Sequence, residues 1–158
     1  VSSNRIKTCR LVALTLIVGL GSSACAGGQG AVSTPRDAQK AAVQLLNRTE
    51  NQVDLPWPAT PSPSAEQCEG GVRFGYYVTA RIRTDAKQLA TTFGRFWTAE
   101  GLTVSPSTTD FGEKRGILYS ATADEAGAAS AAYQVSNTTV AIRVLSPCAT
   151  GSLDDYEE

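Results

Sequence analysis

The sequence predicts an α+β fold: a single domain with two helices packed on one face of a four- to five-stranded, mainly antiparallel sheet, after a cleavable signal peptide. Three observations lead there. Apolar residues recur at helical spacing in 35–52 and again in 86–97. Those of 72–82 alternate with polar residues, and from residue 102 short alternating runs follow one another with turn residues between them. Helix, strand, helix and then a run of strands is the order of an α+β architecture. A chain of 158 residues suits one domain with a real core.

Residues 1–24 divide as a secretory signal does: a basic "NRIKTCR", an apolar "LVALTLIVGL" and a small-residue "GSSA". That apolar core is about ten residues, roughly 15 Å as a helix, against the ~20 residues a bilayer span requires. A processed leader is therefore expected rather than a membrane-spanning anchor. Two cleavages compete. Ala24-Cys25-Ala26 has the A-x-A form of an ordinary signal-peptidase site, which would release a soluble protein beginning at Gly27. Ser22-Ser23-Ala24-Cys25 resembles a bacterial lipobox, in which small residues precede a Cys that is diacylated and becomes the N-terminus. Ser22 stands where an aliphatic residue is usual. The small, polar tract of 25–34, "CAGGQGAVST", suits a flexible tether between lipid and domain. Lipidation of Cys25 is the expectation, with secretion of a soluble protein as the alternative.

Domain 35–148 opens with Thr34 as N-cap and Pro35 at the first helical position. Ala38, Ala41, Ala42, Leu45 and Leu46 form the apolar stripe of the helix that follows. Four prolines in "LPWPATPSPSAEQ" then forbid helix, leaving 55–67 as an extended connector. Trp57 between two of them either anchors a ligand or folds back over a core edge. From Val72 the period becomes two. Val72, Phe74, Tyr76, Val78, Ala80 and Ile82 take the buried side, and Arg73, Gly75, Tyr77, Thr79, Arg81 and Arg83 the other. Trp57, Arg73, Tyr77, Arg81 and Arg83 are the candidate binding residues.

Thr84 or Asp85 caps the second helix, with Gln88 three residues beyond Asp85. Its stripe of Ala86, Leu89, Ala90, Phe93, Phe96 and Trp97 marks tight packing on a sheet, and Gly101 ends it. Strands are expected in "LTVSPST", "RGILYSATA", "SAAYQVSN" and "TTVAIRVLS", with turns at Gly127 and Asn137. Residues 149–158 form an acidic tail, most of it expected to be loose.

Composition narrows the function. The chain has no His, which removes the commonest general base and the commonest metal ligand. Arg5, Lys7 and Arg10 leave with the leader, so the 15 acidic residues outnumber the remaining basic ones. A mildly acidic product with scattered cations is a poor partner for nucleic acid. There is no GxSxG, no GxxxxGK and no GxGxxG opening a helix. Asp154, Asp155, Glu157 and Glu158 lack the spacing of a Ca²⁺ loop, and Asp124-Glu125 reads as a solvated turn. No catalytic residue, cofactor or metal is expected, and the protein is read as no enzyme. Four cysteines are present, with no CxxC pair. Cys68 precedes the first predicted strand and Cys148 follows the last, so in an oxidising compartment they bridge if those strand ends are neighbours.

Taken together, the lipobox-like Cys25, the helix after the tether, the Pro-rich link with Trp57, Cys68 before an aromatic-rich strand and the closing "VAIRVLSPC" resemble small actinobacterial cell-envelope lipoproteins of the LppA-like kind. The resemblance covers most of the mature chain. It implies a location and an architecture, the lipid on Cys25 and the Cys68–Cys148 bridge. The expected function is a binding or structural module at the outer face of the cell membrane. Its partners would be the membrane, through the lipid, and an envelope protein, lipid or glycan. The competing class is a secreted enzyme or enzyme inhibitor without an anchor.

Overall fold

The computed structural model describes residues 34–156. The leader, Cys25, the rest of the tether up to residue 33, and residues 157–158 lie outside the described residues. Helix α1 spans Pro35–Glu50, and its N-cap is the expected one: the Thr34 hydroxyl accepts a hydrogen bond from the Asp37 amide at 3.2 Å. Asn51 caps the other end, slightly short of the predicted limit, and Ala38, Ala42, Leu45, Leu46 and Thr49 are its buried side. Helix α2, Ala86–Ala99, starts where the Asp85 carboxylate accepts from the Gln88 amide at 2.7 Å. It stops at Gly101, whose φ of +87° turns the chain back so that the Leu102 amide reaches the Trp97 carbonyl.

Six strands form one antiparallel sheet, rather than the four to five expected. They are β1 (Ser64–Cys68), β2 (Gly71–Arg81), β3 (Thr103–Asp110), β4 (Ile117–Asp124), β5 (Ser130–Val135) and β6 (Thr139–Leu145). The additional strand, β1, lies in the last part of the 55–67 connector. It pairs with β2 through a tight turn at Glu69-Gly70, with Cys68 opposite Gly71. The spatial order is β1-β2-β6-β5-β4-β3. After β2, α2 carries the chain to the far edge, and a four-stranded meander returns until β6 seals against β2.

Both helices cover the same face. Register places Tyr76, Val78 and Ala80 of β2 opposite Val144, Ile142 and Val140 of β6, and these opposite Ala131, Tyr133 and Val135 of β5. This continuous apolar surface, Leu45 and Leu46 of α1, and Leu89, Phe93 and Trp97 of α2 make one core. Burying side chains of this size stabilises the fold by about 1.5–3 kcal/mol each relative to exposure. A polar link ties the helices inside it: the fully buried Trp97 indole donates to the equally buried Thr49 hydroxyl at 3.0 Å, and that hydroxyl donates to the Leu45 carbonyl at 2.8 Å.

Cys68 and Cys148 are disulfide-bonded, with Cα atoms 6.1 Å apart, because the end of β1 lies beside the exit of β6. The sequence predicts that most of the tail is loose; Ala149 is buried and Leu153 half-buried, while residues 150–152 and 154–156 are exposed. Val72 and Ala149 exchange both backbone hydrogen bonds, at 2.9 and 2.8 Å. A short 3₁₀ turn, Leu153–Tyr156, then sets the Tyr156 ring edge-on to Phe74 at 5.1 Å. Gly71 permits this approach, since a Cβ there would lie 1.9 Å from the Ala149 carbonyl oxygen. Among the described residues no helix is long and apolar enough to cross a membrane.

Candidate functional site

Among the described residues, no helix covers the face of the sheet opposite α1 and α2. On β2 it carries Arg73, Gly75, Tyr77, Thr79 and Arg81; register adds Glu66 of β1 opposite Arg73, and Arg143 of β6 opposite Tyr77. Tyr77 is 60% exposed, so a large ring stands out from the sheet beside a cation. Towards β5 and β4 the same face carries small and polar side chains, Ala141, Ala132, Gln134, Ser120 and Thr122.

Glu66 organises the centre of this face. Its carboxylate accepts from the Arg73 guanidinium at 3.3 Å and from that of Arg143, reaching the latter across β2. Gly75 makes the reach possible: a Cβ there would stand 3.2 Å from the Glu66 oxygen and 2.9 Å from the Ser64 hydroxyl. Each ion pair is partly exposed and contributes less than about 1 kcal/mol to stability. Their effect is orientation, since two guanidinium groups are held by one carboxylate and the triad retains a net positive charge. The Arg73 Nε is buried and, among the described residues, has no hydrogen-bond partner.

The candidate binding residues do not all meet here. Arg73 and Tyr77 belong to the central cluster. Arg81 ends β2, Arg83 lies beyond the strand rather than on its face, and the two line a cleft of about 550 Å³ with Asp54, Leu55 and Pro56. Trp57 stands elsewhere. Its indole donates to the Glu50 carbonyl at 3.1 Å and its ring packs on the edge of the core, so the proline-flanked tryptophan folds back as a cover. The Glu50 carboxyl nearby is pushed above its ordinary range by burial, with one oxygen buried and, among the described residues, without a hydrogen-bond partner. Sequence reading missed Glu66 and Arg143, which lie 77 residues apart and meet only through the sheet order. Gly75 inside an otherwise bulky strand was the available signal of a close approach.

A second concavity lies on the helix side, where α2 and the β3–β4 hairpin leave a groove of about 560 Å³. Lys87, Gly94 and Arg95 line its helix wall, Val104, Pro106 and Tyr119 its sheet wall, and Tyr133 reaches it from β5. The Tyr133 ring packs on Phe93 and Trp97 at centroid distances of 5.9 and 5.3 Å, and burial raises the pKa of its hydroxyl, which stays protonated at neutral pH. Among the described residues no three His, Cys, Asp or Glu side chains gather as a metal site. Comparison with protein-family models, with curated proteins and with solved structures found no match.

Proposed function

We propose that this chain is a lipoprotein held at the outer face of the cell membrane through Cys25, with its disulfide-stapled domain acting as a binding module for an envelope protein or glycan. The leader, the lipobox-like tetrapeptide and the small-residue tether support the anchor. An intact Cys68–Cys148 bridge agrees with an oxidising, extracytoplasmic setting. The likeness to actinobacterial envelope lipoproteins points the same way.

The observation that carries the binding reading is the uncovered sheet face with Tyr77 at its centre, 60% exposed, beside guanidinium groups fixed by Glu66. An exposed ring between cations suits a partner that offers a flat surface and anionic or hydrogen-bonding groups, since Tyr and Arg are the side chains that concentrate binding energy at interfaces. On this reading the Glu66 carboxylate serves to hold the two guanidinium groups in place for association with the partner. Binding of the labelled mature protein to isolated envelopes tests this. Tyr77→Ser with Arg143→Ser should weaken binding about tenfold or more while leaving thermal unfolding unchanged. Equal binding by the double variant would remove this face from the function.

A further inference from the structure

We infer that the groove between α2 and the β3–β4 hairpin binds a long-chain fatty acid, its acyl chain lying along the sheet wall and its carboxylate held by Lys87 or Arg95. This inference is independent of the open sheet face and of the anchor. The groove's volume of about 560 Å³ falls within the range of small-molecule sites. Val104, Pro106 and Tyr119 give its sheet wall an apolar surface. Among the described residues its charged lining is cationic, Lys87 and Arg95, with neither in an ion pair and no acidic side chain lining it. An open, largely apolar groove with cations at its rim complements an amphipathic anion.

Two further observations point to an occupant. Tyr133 is only 5% exposed, and among the described residues its hydroxyl has no hydrogen-bond partner. The little surface it retains faces the groove it lines. Among the described residues the enclosed unpartnered side-chain atoms belong to Glu50 and Arg73, so the Tyr133 hydroxyl is open to the groove, where water or a ligand acceptor can take its hydrogen bond. The second observation is Gly94, in the middle of α2. A glycine there weakens the helix relative to alanine, and no crowding requires it, because an added Cβ would meet nothing within 4 Å. What the missing side chain does is keep the groove open.

Gly94 also supplies the test, because filling the groove there should strengthen the helix rather than unfold the protein. The full mature chain is titrated with oleate, using displacement of a fluorescent fatty acid as the readout. Wild type should bind oleate, and Gly94→Leu should bind at least about tenfold more weakly with an unchanged or higher Tm. Lys87→Gln with Arg95→Gln should weaken oleate about tenfold and leave the binding of oleyl alcohol unchanged. No displacement by oleate, or wild-type affinity in Gly94→Leu, would overturn the inference. So would association only with phospholipid vesicles and not with the free acid, which would make the groove a membrane-contact surface.

Discussion

Removing the disulfide should cost this domain much of its stability, and the sequence span of the bridge sets the amount. Cys68 and Cys148 close a loop with a separation of 80 residues. In the chain-entropy treatment such a closure restricts the unfolded ensemble by about 4.5 kcal/mol. Little native packing is lost with it: Cys148 is exposed, Cys68 is half-buried, and the paired hydrogen bonds of Val72 and Ala149 still hold the chain beside the bridge. Replacing both cysteines by alanine should therefore lower the unfolding free energy by about 4 kcal/mol. That is a large share of the 5–15 kcal/mol, roughly, of an ordinary domain. Urea unfolding followed by tryptophan fluorescence is the assay, and at about 2 kcal/mol per molar of urea the midpoint should fall by about 2 M. Because the effect lies in the unfolded chain, the denaturant slope should rise as that chain expands. A loss below about 1 kcal/mol, or an unchanged slope, would show that the bridge does not act by restricting the unfolded chain.

Three further outcomes follow from single sites. Thr49→Val leaves the buried Trp97 indole without its acceptor and should cost about 1–3 kcal/mol; in a double-mutant cycle with Trp97→Phe, a coupling below about 0.5 kcal/mol would deny the link. Gly71→Ala drives a Cβ into the Ala149 carbonyl, so it should lower stability by about 1–3 kcal/mol and speed amide exchange at Ala149; unchanged exchange there would contradict the packed tail. Burial holds the Glu50 carboxyl above its ordinary 4.5, so the folded chain binds that proton more tightly than the unfolded one. Its contribution is most favourable below 4.5 and fades as pH rises through the folded value. Glu50→Gln should flatten this part of the pH–stability curve and raise stability at neutral pH, and a parallel curve for the variant would exclude the effect.

Elements with strong periodicity were legible before any coordinates. The caps at Thr34 and Asp85, the alternation from Val72 to Ile82, and the aromatic stripe of α2 each announce their structure in local residues. Strand β1 did not, because "SAEQC" follows prolines and has no apolar alternation. Its order comes from β2 and the disulfide, which are tertiary facts. The docked part of the tail was missed for a similar reason. Its acidic composition hides Ala149, Leu153 and Tyr156, whose docking depends on the absence of a side chain at Gly71. On the open face, alternation placed Arg73 and Tyr77 correctly, yet it carried Arg83 past the end of the strand, and the alternation of "VAIRV" puts Arg143 on one face of its own strand without saying that this strand lies beside Tyr77. The groove is made partly by a side chain that is missing, Gly94, which in sequence looks like a weak spot in a helix.

If the domain works tethered to the envelope through Cys25, the mass of the mature protein must show the lipid. Cells producing the full chain are fractionated, and intact mass is measured on the membrane fraction for wild type and Cys25→Ala. Tethering predicts a wild-type species that begins at Cys25 and carries the added mass of diacylglycerol, with the Cys25→Ala protein lacking that mass and no longer held in the membrane fraction as the wild type is. A wild-type species beginning at Gly27 without lipid, or a Cys25→Ala protein retained in the membrane as before, would contradict it.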